Sequence, residues 1–288
     1  MVMKASLSFT NYPNLKIGFS TQNFQKFMKL NVGNLSELID YAFSEGYQFI
    51  MIRDDYAELS DSECVALAEY AKKCDIEVIY EIHKNPLDKS YMNVFEKALR
   101  NTALFGEPGI IRTIVSKSEF DNDPLKKGWT ESEFLRLTKI CDDCTAVANK
   151  KNIKFVVENF NEAFFGDGQS YFGLADLITN TQGTGIQFDI SNPFRNTSRE
   201  KADPDRVEQY LNSNAKRWIT THLKTIVDGE VQSVLTDNPI PIERIIKLMG
   251  IHCINWVAIE LPGEKDKDHC YNNHATSIKY LKDIGILK

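Results

Sequence analysis

The chain has 288 residues, 42% hydrophobic and 26% charged, a folded-domain composition that excludes disorder, collagen and coiled coil. Forty acidic residues against 34 basic ones leave a formal charge of −6, which argues against nucleic acid or an anionic membrane surface as partner. There is no apolar run of membrane-spanning length, no signal-like stretch in the opening MVMKASLSFTNYPNLK, and too few cysteines (six) for a disulfide scaffold, so a cytoplasmic protein is expected.

In chain order, Lys16–Ser20 reads as the first strand. Leu35, Leu38, Ile39, Ala42 and Phe43 follow at helical spacing, with Asn34 as the expected N-cap. Phe49–Arg53 is the second strand, and Ser60 with Glu63 has the spacing of a capping box. Glu77–Ile82 and Ile110–Val115 are the third and fourth strands, and Thr130 with Glu133 repeats the capping box. The helix behind it carries Cys141 and Cys144, which have redox or zinc spacing. They share a helical face with Phe134, Leu137 and Ala148 and so read as buried apolar thiols. Ile153–Glu158 and Ile186–Asp189 are strands five and six, and Asp203-Pro204 is a cap followed by a first-turn proline. Trp218–His222 is strand seven. Ile242, Ile245, Ile246 and Met249 form a stripe expected to stop at Gly250. Trp256–Glu260 is strand eight, and a helix around His274–Lys282 closes the chain.

Eight strands thus alternate with eight helices. Runs such as FIMI, IIRTIV and WVAIE are apolar on both faces, as parallel strands are. Eight such units are the number that closes a barrel, so one (β/α)₈ domain over residues 1–288 is expected. An open doubly wound sheet is the competing arrangement. The chain has neither the G-x-G-x-x-G nor the G-x-x-x-x-G-K-[ST] fingerprint of its two commonest uses.

Chemistry on a barrel sits where strands end. Strands five to eight end in Glu158, Asp189, His222 and Glu260, at separations of 31, 33 and 38 residues, one strand–helix unit each. Charges directly behind apolar runs need a partner. Three converging carboxylates repel one another, and a divalent cation relieves that. Three oxygens and one nitrogen suit Mn²⁺, Mg²⁺, Co²⁺ or Zn²⁺, the carboxylate majority leaning to Mn²⁺ or Mg²⁺. One ion is expected. Lys224, two residues past His222 on the same side of the strand, is a candidate to polarise a substrate oxygen. His83, at the end of strand three, either faces the mouth as a substrate-binding candidate or is a loop histidine bound to backbone. Arg53 and Arg112, on strands two and four, either bind a substrate carboxylate or phosphate or pair inside the barrel. Arg195 and Arg199 stand in the polar loop after Asp189.

The motifs VVEN (156–159), FDISN (188–192), HLK (222–224) and AIELPGE (258–264), with the opening LKIGFST, resemble the xylose isomerase-like TIM barrel superfamily. The resemblance implies a metal held by Glu158, Asp189, His222 and Glu260, with Glu158 and Glu260 as an acid/base pair. Asn192 stands where many relatives carry a histidine, and is a substrate-binding candidate. Five histidines are too few for the three-zinc DNA-repair branch. The implied activity is a metal-dependent isomerase or epimerase of a small sugar-like carbonyl compound. The alternatives are a lyase of the inosose or dehydroshikimate dehydratase kind, or a non-catalytic sugar-binding barrel. A homo-oligomer is compatible with the sequence.

Overall fold

The computed structural model describes residues 6–53, 59–115, 122–123 and 125–288. Residues 1–5 of the opening segment lie outside them. The barrel strands are β1 (Lys16–Ser20), β2 (Phe49–Arg53), β3 (Glu77–Ile82), β4 (Ile110–Ile114), β5 (Lys154–Glu158), β6 (Gly185–Asp189), β7 (Trp218–Leu223) and β8 (Trp256–Ile259), and a short antiparallel ribbon pairs Ile226–Val227 with Glu230–Val231 after β7. The barrel strands close in the order β1-β8-β7-β6-β5-β4-β3-β2, with every pair parallel. The expected barrel is therefore present, with strand boundaries within one residue of those read from the sequence.

The described helices are α1 (Val32–Glu45), α2 (Asp61–Lys73), α3 (Tyr91–Phe105), α4 (Glu131–Asn149), α5 (Leu174–Asn180), α6 (Pro204–Ser213), α7 (Ile242–Ile251) and α8 (Lys267–Asp283). Both capping boxes form, at Ser60/Glu63 and Thr130/Glu133. Asp203 caps α6 by accepting from the N–H groups of Asp205 and Arg206, with Pro204 in the first turn. Two expected helix ends differ. The cap of α1 is Asn31, whose side chain accepts the N–H of Asn34, so the helix begins before its apolar stripe. Helix α7 runs past Gly250 to Ile251. A β-carbon at Gly250 would lie 2.0 Å from the Tyr12 ring, so this glycine serves a close contact rather than a turn. Among the described residues no helix is long and apolar enough to cross a membrane.

Alternation along each strand makes two cores. Side chains such as Ile50, Ile52, Tyr80, Ile111, Phe155 and Val157 face outward and join the helix stripes in the large outer core. Phe49, Met51, Ile79, Ile110, Val156 and Ala258 face inward and form a small apolar plug. Gly18 on β1 makes room for that plug, since a β-carbon there would stand 2.3 Å from the Phe49 carbonyl oxygen. Two residues further along the strands, the inward positions turn polar, and the site begins.

Candidate metal centre

The inward positions at the carboxyl ends are Ser20, Arg53, Glu81, Arg112, Glu158, Gln187 with Asp189, His222 and, directly after β8, Glu260. All are at least 96% buried. They lie side by side because the ladder puts them in register: Glu81 opposite both Arg53 and Arg112, Glu158 opposite Gln187, and Asp189 opposite His222. The N–H of Glu260 donates to the Leu223 carbonyl at 2.9 Å, which continues the β7–β8 pairing by one step.

Glu158, Asp189, His222 and Glu260 each offer one donor atom, and these four atoms lie within 4.8 Å of one another. Each carboxylate has one oxygen held by a neighbouring donor and the other turned toward His222 or Lys224. Glu158 Oε2 takes Arg112 Nε at 2.8 Å, and Oε1 faces His222 Nδ1 at 3.1 Å. Glu260 Oε1 accepts from Arg53 at 3.0 Å, and Oε2 faces His222 Nδ1 at 3.2 Å. Asp189 Oδ1 accepts the N–H groups of Ser191 and Asn192 at 2.8 and 3.0 Å, and Oδ2 faces Lys224 Nζ at 2.8 Å. Three single oxygens and one imidazole nitrogen are a set that can hold a divalent ion.

The charges balance. Four carboxylates, with Glu81 as the fourth, meet Arg53, Arg112, Lys224 and His222. Burial alone would push the Glu260 carboxyl up, but Lys224, His222 and Arg53 outweigh it and hold the group well below the usual carboxylate range. Arg112 and His222 likewise outweigh burial at Glu158. Burial raises Asp189 despite Lys224 beside it. At His222 burial favours the neutral ring, yet Glu260 and Glu158 overcome this and raise it well above its ordinary value. Lys224 also bridges to Glu260, and its neighbours keep it charged.

Above the centre is a cavity of about 230 Å³, lined by Gln22, Gln25, Arg53, His83, Ile114, Glu158, Phe160, Arg195, Lys224 and Glu260. Of the expected substrate residues, Arg53, His83 and Lys224 line it. Arg112 lies fully buried beneath it, on Glu81 and Glu158. Asn192 is buried beside Asp189, with its amide nitrogen on the Asn159 carbonyl at 2.8 Å. Arg195 lies at the mouth, over the Phe160 ring. Sequence reasoning missed Glu81 and Gln187. Gln187 donates to Glu158 at 3.3 Å and to Glu81 at 3.4 Å. The available signal was parity: Glu81 shares the face of Ile79, and Gln187 that of Asp189.

No family model matches the chain, and no curated protein matches it by sequence. Solved structures do match. D-psicose 3-epimerase in the presence of D-fructose superposes with a TM-score of 0.68 at 13% identity, over 94% of this chain and 99% of that one. L-ribulose 3-epimerase gives 0.66 at 14%, over 94% and 93%. A xylose isomerase-like TIM barrel protein from Mycobacterium smegmatis in complex with magnesium gives 0.62 at 14%, over 93% and 97%. These near-complete superpositions, together with the closed eight-stranded parallel barrel, show that the chain shares the (β/α)₈ TIM-barrel fold of these structures.

Proposed function

We propose that this chain is a metal-dependent isomerase or epimerase of a small sugar-like carbonyl compound. The observation that carries this reading is the convergence of four donors within 4.8 Å beside an open polar cavity. The epimerase neighbours agree with it. Glu158, Asp189, His222 and Glu260 would hold one divalent ion, with Mn²⁺ or Mg²⁺ preferred by the carboxylate majority. When bound, the ion supplies stabilisation of negative charge on a substrate oxygen.

The chain's own groups do the rest. Glu158 and Glu260 are kept ionised by the cations around them, so each can accept a proton from a carbon next to a carbonyl. They stand on β5 and after β8, three strand steps apart around the barrel, and reach the centre from different sides. That placement suits removal of a proton from one face of a substrate and its return to the other. Lys224, fixed between Asp189 and Glu260, is a charged donor for a substrate oxygen. Arg53, His83 and Arg195 line the cavity and contact the remaining hydroxyls or an acidic group. Arg112 and Asn192 act on the substrate indirectly, through Glu158 and Asp189.

The test is turnover of a panel of small ketoses and aldoses in D₂O by Mn²⁺-loaded protein. The expected result is an isomer or epimer labelled at the carbon beside the carbonyl. An unsaturated product with loss of water would make the protein a lyase, and sugar binding without label or product would make it a binding barrel. Glu158→Gln and Glu260→Gln are each expected to fold, to retain metal and to lose about 10²–10⁴ in rate, the usual contribution of one acid/base group.

A further inference from the structure

Three asparagines outside the donor set hold the strand ends that carry it, and all three do so through the same chemistry. Asn23, in the turn after β1, donates from Nδ2 to the Ile259 carbonyl at 3.0 Å and accepts the Leu261 N–H on Oδ1 at 2.9 Å. Its amide therefore brackets Glu260. Asn238, in the loop after β7, donates to the Lys224 carbonyl at 2.9 Å and accepts the Ile226 N–H at 3.0 Å. Asn159, directly after β5, donates to the Asp189 carbonyl at 2.9 Å and accepts the Asp189 N–H at 2.8 Å.

In a parallel ladder, one residue donates its N–H to the residue before its partner and accepts from the residue after it. Asn23 and Asn238 reproduce that pattern with a side chain, since a primary amide carries the same donor and acceptor as a peptide group. Asn159 makes the two-bond exchange of an antiparallel pair. The peptide ladder runs out at the rim, where the donors must be held, and the amides replace it there. Their own surroundings fix two of them. His274 Nε2 lies 2.9 Å from Asn23 Nδ2, and Cys270 Sγ donates to the Asn23 carbonyl. Asn192 Nδ2 donates to the Asn159 carbonyl. Asn23 and Asn159 are at least 98% buried, so losing either amide leaves main-chain groups unpaired and without water.

We propose that Asn23, Asn159 and Asn238 are positioning residues that extend the sheet past the barrel rim and fix Glu260, Asp189 and Lys224 in place. The consequence for metal rests on the reading that Asp189 and Glu260 are ligands. The consequence for backbone order does not.

The experiment uses the full chain with Asn23→Ala, Asn159→Ala and Asn238→Ala. Hydrogen exchange of the Leu261, Asp189 and Ile226 amides, respectively, is expected to rise at least about tenfold, while Val257 inside β8 keeps the parent rate. Titration with Mn²⁺ alone is expected to show about 10- to 100-fold weaker binding in the Asn23 and Asn159 variants, the range for partners that orient ligands. Thr145→Ala, which removes a buried hydroxyl pair with Thr184 at the far end of the barrel, is expected to lower Tm and leave Mn²⁺ affinity unchanged. Asn238 is only half-buried, so its variant keeps the exchange test alive if the other two do not fold. Unchanged exchange at the three amides would overturn the proposal. So would Mn²⁺ affinity in the Asn23 and Asn159 variants within twofold of the parent. A parent that takes up no Mn²⁺ would defeat the metal reading, and the exchange rates would then decide the positioning role.

Discussion

Asp189 has one oxygen held by two backbone N–H groups and the other aimed at Lys224, so its geometry is set before any ion arrives. Asp189→Ala removes a ligand and leaves Lys224 with Glu260. Titration should show Mn²⁺ affinity falling by more than the ~10–100-fold that orienting partners contribute, and undiminished binding would take Asp189 out of the site. His274 gives a second residue-scale prediction. It stacks on Phe24 with ring centroids 5.1 Å apart and is fully buried, and burial pulls it from its ordinary 6.5 down to about 3. The unfolded chain therefore takes up this proton first. The contribution is intact above about pH 6.5 and is lost as pH falls from there toward about 3. Urea unfolding of metal-free protein should lose stability more steeply between pH 6.5 and 4.5 than the His274→Phe variant does. Equal slopes would contradict a buried neutral ring. At this scale the donor set was legible because each member stands at the end of a strand, one strand–helix unit from the next. Glu81 was not, because it lies within a strand, between Tyr80 and Ile82, and only the closed barrel shows what it meets.

The helices follow from local rules wherever one residue settles the matter. Thr130 with Glu133 starts α4 as the capping-box pattern requires, and Asp203 with Pro204 starts α6. The rules misled where two residues competed. Asn31 and Asn34 can both cap, and only Asn31 has its side chain three residues before a free N–H. Gly250 looked like a helix stop, while the structure uses it for contact with Tyr12. On α4, Cys141 and Cys144 lie in the outer core, both fully buried by area. Burial pushes the Cys144 thiol up to about 12 and Cys141 well above its ordinary value. Both thiols sit among apolar side chains away from solvent, the surroundings of inert structural cysteines rather than of redox-active ones. In the native protein, exposed Cys253 should react quickly with a thiol reagent and these two slowly. Cys141→Ala with Cys144→Ala should lower Tm and leave Mn²⁺ affinity unchanged. Loss of metal from a well-folded double variant would place this pair in the chemistry after all.

Across the whole molecule, every strand end sends at least one group to the same buried layer. Ser20 from β1 donates to Glu81 at 3.0 Å, and the layer runs from Arg53 on β2 round to Glu260 after β8. Such a layer cannot be read along the chain, since its pairs are 28 to 207 residues apart, as Arg53–Glu81 and Arg53–Glu260 are. It exists only once the barrel closes. Its four negative and four positive groups make it sensitive to imbalance rather than to loss of any one contact. Arg112 is fully buried between Glu81, at 2.7 Å, and Glu158, at 2.8 Å. Arg112→Met leaves four carboxylates against three cations in a dry interior and should cost about 3–5 kcal/mol in urea unfolding, the usual penalty for one orphaned buried charge. Adding Glu81→Leu restores three against three, and an apolar replacement of similar volume for a buried ion pair is often neutral. The double variant should therefore recover most of the stability lost in the single one. If the two losses are equal, the barrel needs the shape of Arg112, and charge balance is not what holds this layer together.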